Sequence, residues 1–173
     1  MKKILYLKAL KFVAMFLIIG SLAFFLLSFA SGFFALIAAY SSQLLLMVLG
    51  VQTQIVFQQN PHLISPAFDA ELITLCWGLL EMAVIVGIIA SSEERAIFQR
   101  IYGILLGIFV VLFFNAMRIA VTLRLFNSSE PFASEIAHDV LFRISLVLVV
   151  LGYYAFWYLV LTALKPKAAP IGK

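Results

Sequence analysis

The chain has 173 residues, enough for one domain; 65% are hydrophobic, only 12% are charged, and the formal net charge is +4. Mean hydropathy is +1.13, whereas a water-soluble domain has about a quarter of its residues charged and about half apolar, so the composition points to lipid. One cysteine and two histidines exclude an internal disulfide and a Cys-rich zinc site, and neither a metal nor a cofactor is expected. The basic residues stand at the edges of apolar blocks, which reads as membrane topology rather than nucleic-acid binding.

Crossing a bilayer as helix takes about 20 apolar residues. The first such block, 12–30, is uncharged and follows Lys2, Lys3, Lys8 and Lys11. No clear small-x-small cleavage site interrupts it, so it reads as a retained helix rather than a signal peptide. The second block, 33–50, is apolar but broken in its middle by Tyr40, Ser41, Ser42 and Gln43. An outer loop, 51–71, follows; it opens with polar and β-branched residues in near alternation and carries Asn60-Pro61 and Ser65-Pro66, which favour turns. Residues 72–90, 101–123 and 140–164 form three further spans, joined by a short charged loop at 91–100 and an outer loop at 124–139.

Charge decides how block 33–50 is used. With the N-terminus, the 91–100 loop and the C-terminal tail inside, nine of the twelve basic residues are cytoplasmic: Lys2, Lys3, Lys8, Lys11, Arg95, Arg100, Lys165, Lys167 and Lys173. That arrangement satisfies the positive-inside rule only if an odd number of crossings precedes the 51–75 stretch. The expectation is therefore an all-α, polytopic transmembrane helical bundle in the plasma or inner membrane. It has four full spans, with 33–50 interfacial or re-entrant.

Ionisable groups inside a membrane bundle are expensive and are functional candidates by default. With a rise of about 1.5 Å per residue, Cys76 lies roughly 21 Å up its span and Arg118 roughly 26 Å up the next, while His138 stands at the outer mouth of the last. A thiol, a guanidinium and an imidazole thus reach one depth. Each has a plainer role: cysteine as a small hydrophobe, arginine snorkelling to headgroups, histidine capping a helix. Asn115 shares a face with Arg118 at i, i+3, and Asp139 and Arg143 are spaced as an ion pair. Glu81, near mid-span, has to be protonated or paired, with Arg118 or Arg143 as candidates. His62 reads as a surface residue of the outer loop. Together, a thiolate nucleophile, a proton-shuttling histidine and an arginine that stabilises an oxyanion are the equipment of acyl transfer.

Three segments carry a more specific likeness: LCWGLLEM around Cys76, FFNAMRIAVTL around Arg118, and EIAHDVLFRISLVLVVLGYYAFW with His138. In order and spacing they resemble the signature regions of the exosortase/archaeosortase family, over about residues 45–160, as a short minimal core. The resemblance implies a membrane-embedded cysteine transpeptidase with Cys76 as nucleophile, His138 as general acid/base and Arg118 as carbonyl stabiliser. Asn115, Glu81 and Asp139 are then supporting candidates. It also implies secreted protein substrates ending in a short motif, a transmembrane helix and a basic cluster, and transfer to a cell-envelope acceptor such as a lipid or glycan. The chain departs from the family at Trp77, which stands before Gly78 where a small polar residue is usual and which points to a substrate-groove role. The competing reading is a non-catalytic membrane scaffold or small transporter subunit. The absence of a Gly-x-Ser-x-Gly element disfavours a rhomboid-like protease, and the positions of His62 and His138 outside the spans disfavour a haem-binding bundle. For topology, a membrane-impermeant thiol reagent is expected to label a cysteine placed within 126–137 from the outer side; labelling only from within refutes the arrangement.

Overall fold

The computed structural model describes residues 2–126 and 147–161, with side chains from residue 6 to residue 160. Helix α1 (Lys2–Phe29) is interrupted at Ala30 and followed by α2 (Ser31–Val48). Three short strands come next, β1 (Gln54–Phe57), β2 (Pro61–Ile64) and β3 (Asp69–Glu71), and then a 3-10 turn, Thr74–Trp77. Helices α3 (Leu79–Ala90) and α4 (Ile97–Phe126) follow, and α5 covers Val147–Val160, ending in a π-helical turn at Trp157–Leu161.

Helices α1, α2 and α4 are each long and apolar enough to cross a membrane. Little of α1 is buried within the chain: Leu17, Ile18 and Phe25 are all exposed, Ile18 by 69%, as are Leu105 and Phe109 on α4. Continuous apolar surface of that extent is not stable against water and requires lipid. At about 1.5 Å per residue, α4 is about 45 Å long and exceeds the hydrocarbon thickness of about 30 Å.

Glycines set the helix spacing. Helix α1 packs on α3 where Gly20 meets Gly87; a Cβ on Gly87 would lie 3.0 Å from the Gly20 Cα and 3.1 Å from the Phe16 ring. At the end of that contact Lys11 Nζ donates to Glu93 Oε2 at 2.7 Å. Gly103 and Gly107, one turn apart on α4, receive α5: Tyr153 donates its hydroxyl to the Gly103 carbonyl at 2.6 Å, and the Trp157 indole N–H to the Gln99 carbonyl at 3.1 Å. Small residues at i, i+4 bring helices close where lipid supplies no hydrophobic drive. The α3 C-terminus is closed by side chains, with Ser91 and Ser92 donating to Gly87 and Ile88 and Arg100 to the Ala90 carbonyl at 2.9 Å. The last carbonyls of a helix lack the usual backbone donors, and side chains such as these supply them, as Arg100 does for Ala90.

The strands form an antiparallel sheet in the order β1-β2-β3, with Ile55 opposite Leu63 and Leu63 opposite Ala70. Ser65 closes the second hairpin, its backbone N–H donating to the Phe68 carbonyl at 2.8 Å and its hydroxyl accepting from Ala67 and Phe68. Leu63 and Leu72 are buried with Leu46 of α2, and α2 packs chiefly on α4, the 3-10 turn and the first two strands.

Three expectations change. The 51–71 stretch contains a small sheet, so the protein is mostly helical rather than all-α, because β-branched alternation followed by two proline turns suffices for a meander. The 72–90 block holds only twelve helical residues, since Gly78 turns the chain at φ +76° and α3 starts after it. Among the described residues three helices, not four, have the length to span. Block 33–50 is an uninterrupted eighteen-residue helix; its mid-helix Ser41 hydroxyl bonds back to Ile37, which lets an internal serine sit in an apolar helix. Of the expected last span and the 124–139 loop, residues 127–146 and 162–164 lie outside the described residues.

A Cβ on Gly103 would come 2.1 Å from Trp157 Nε1, whereas one on Gly152 of α5 meets nothing within 4 Å. Gly103→Ala is expected to destabilise the purified protein by about 1–3 kcal/mol or to prevent its accumulation. Gly152→Ala is expected to be neutral or stabilising by roughly 0.5–1 kcal/mol. Thermal unfolding in detergent checks both.

Candidate active site

Strand β3 leads into the segment that carries the cysteine. Leu72 extends the β2 pairing by donating its N–H to the Pro61 carbonyl at 2.9 Å, and the Cys76 N–H donates to the Ile73 carbonyl at 2.7 Å to close the 3-10 turn. Trp77 is buried, and its indole N–H donates to the Leu72 carbonyl at 2.8 Å, so this side chain staples the turn to the end of the sheet. Gly78 is required twice over. Its φ of +76° is a left-handed conformation that costs an L-residue about 1–2 kcal/mol, and a Cβ there would sit 3.3 Å from Val111 Cγ1 and 3.6 Å from Asn115 Cγ. The turn is thereby pressed against α4.

Asn115 takes up the contact. Its Nδ2 donates to the Cys76 carbonyl at 2.6 Å, and its Oδ1 accepts from Arg118 Nη2 at 2.8 Å. The opposite amide orientation would set oxygen against oxygen and donor against donor, so the two neighbours fix it. Arg118 Nη1 lies 3.7 Å from Glu81 Oε1, one turn into α3. Asn115, Arg118 and Glu81 are all buried, while Cys76 is half-buried between exposed Ile73 and Leu75. The Arg118 and Glu81 charges both reach the Cys76 thiol electrostatically, with opposite sign.

Of the residues singled out from the sequence, Cys76, Trp77, Glu81, Asn115 and Arg118 therefore share one cluster, with Arg118 as the partner of Glu81. His138, Asp139 and Arg143 lie outside the described residues. His62, read from the sequence as a surface residue of the loop, is half-buried on β2, and its Nδ1 lies 2.8 Å from Oδ1 of the exposed Asp69. The Ser65-Pro66 turn was the available signal, because a hairpin around it sets residues 62 and 69 on neighbouring strands. Among the described residues no three His, Cys, Asp or Glu side chains gather as a metal ion would need.

A buried guanidinium that loses its carboxylate costs about 3–5 kcal/mol, whereas replacing both partners with apolar residues is often neutral. Glu81→Leu is expected to destabilise the protein by that order, and Glu81→Leu combined with Arg118→Met to recover most of the loss. Unfolding midpoints in detergent for the two single variants and the double variant check the coupling.

No protein-family model matches the chain, no curated protein sequence is significantly similar to it, and no solved structure matches its fold.

Proposed function

We propose that the protein is a membrane-embedded cysteine transpeptidase or protease, similar to the exosortases and archaeosortases. It cleaves the C-terminal sorting signal of secreted proteins at the outer side of the membrane. The observation that supports this reading is Asn115, which ties the backbone of the only cysteine to a buried arginine on another helix. A snorkelling arginine would extend to solvent, whereas Arg118 is buried and is tied through Asn115 to the turn that carries the thiol.

In the proposed cycle the Cys76 thiol gives its proton to His138 and the thiolate attacks the scissile carbonyl of the sorting signal. The Arg118 guanidinium, oriented beforehand by Asn115 and Glu81, stabilises the oxyanion. Collapse breaks the C–N bond. The departing amine takes the proton from His138, and the secreted domain remains as a thioester on Cys76. An amine or hydroxyl of the envelope acceptor then attacks the thioester carbonyl, losing its proton to His138. Cys76 leaves as thiolate and is reprotonated.

Cys76→Ala is expected to abolish maturation of a co-expressed secreted protein carrying motif, transmembrane helix and basic cluster, at unchanged enzyme level. Arg118→Lys is expected to slow it by about 10²-fold, as loss of an oxyanion donor does. Immunoblotting the substrate for the size shift of cleavage checks both, and normal processing by Cys76→Ala refutes the reading.

A further inference from the structure

The end of α3 opposite the cysteine turn borders a groove. The Lys11–Glu93 bond brings the start of α1 beside the α3–α4 turn, and α5 approaches the same turn from the other side, with Tyr154 Oη 3.4 Å from Ser92 Oγ and Tyr158 Oη 3.4 Å from Glu94 Oε2. Between α1 and α5 lies a groove of about 630 Å³, within the range of small-molecule sites. Its wall is apolar along α1, at Phe12, Val13 and Met15, and polar at the turn.

The charges in this groove are arranged in a particular way. Lys11 and Glu93 neutralise each other. Lys8, one turn earlier on α1, also lines the groove and forms no ion pair among the described residues. On the facing wall Glu94 accepts, among the described residues, the long Tyr158 hydroxyl bond, while the Arg95 guanidinium is engaged elsewhere, 4.0 Å over the Tyr158 ring and donating to the Tyr158 carbonyl. Among the described residues the Lys8 ammonium and the Glu94 carboxylate thus face a shared space that opens along an apolar helix. A phospholipid with a phosphate and a primary ammonium complements that set: phosphate to Lys8, ammonium to Glu94, and an acyl chain along α1. Basic residues of membrane proteins commonly hold lipid phosphates.

We propose that the groove between α1 and α5 is a binding site for a phosphatidylethanolamine headgroup, with Lys8 holding the phosphate and Glu94 the ammonium. The site is independent of the cysteine chemistry.

The test uses the full chain in detergent and native mass spectrometry with dioleoyl phosphatidylethanolamine, phosphatidylcholine and phosphatidylglycerol. The ethanolamine lipid is expected to bind about tenfold more tightly than the other two, the order of one charge-assisted hydrogen bond. Glu94→Gln is expected to reduce it to the level of phosphatidylglycerol. Lys8→Gln is expected to weaken both phosphatidylethanolamine and phosphatidylglycerol. Both side chains are exposed, so the variants keep the fold, and circular dichroism verifies that. Equal binding of the three lipids, or unchanged binding by both variants, overturns the proposal. So does equally tight binding of soluble glycerophosphoethanolamine, since the groove would then recognise a free headgroup rather than a lipid.

Discussion

A guanidinium inside an apolar helical bundle imposes conditions on everything around it. Arg118 stays charged at any physiological pH, so its neighbours have to supply both a counter-charge and hydrogen-bond acceptors. Glu81 provides the first and Asn115 the second, and each is tied to another element: Glu81 to α3, Asn115 to the cysteine turn through the Cys76 carbonyl. One buried charge thereby fixes the level of α3 against α4 and the seat of the only cysteine.

That seat also depends on close backbone approach. Gly78 allows the chain to pass from the 3-10 turn into α3 while lying directly on Val111 and Asn115, and Gly87, Gly103 and Gly107 let α1 and α5 come in from either side. In lipid, where apolar burial supplies little attraction between helices, packing contacts and interhelical hydrogen bonds hold the bundle. The Tyr153 and Trp157 bonds to α4 carbonyls are of this kind. The outer surfaces of α1 and α4 remain free to meet lipid, and their bulky apolar side chains suit that role.

The sheet and α2 give the two ends of the molecule different characters. At one end, the meander and the Trp77 staple hold the cysteine turn in a rigid frame of backbone pairing, which favours precise placement of a reacting group. At the other, charged and hydroxyl side chains of the α3–α4 turn meet lysines of α1 and tyrosines of α5. The cluster of Cys76, Asn115, Arg118 and Glu81 and the Lys11–Glu93 pair thus lie toward opposite ends of α3.

The membrane character and the α1 and α4 helices were legible in the sequence, whereas the Asn115 bridge from the Cys76 carbonyl to Arg118 needed the fold. Composition decides the solvent, and helical rise converts residue number into depth. The partner of Glu81 was narrowed to two arginines by the same reasoning, because a mid-span carboxylate has few options. The sheet, the late start of α3 and the His62–Asp69 contact were not legible. Each depends on how separate segments meet: β1 exists only against β2, and Gly78, at its left-handed turn, packs closely on Val111 of α4. Charge counting governs which loops face the cytoplasm, but whether an apolar segment with a polar centre stays one helix depends on the surfaces it packs against. For α2 those are α4, the cysteine turn and the sheet, none of which is local in sequence. The sequence by itself determined the solvent and the inventory of reactive groups. Tertiary structure decided which of those groups touch, because hydrogen bonds such as Asn115 to Cys76 join residues 39 positions apart.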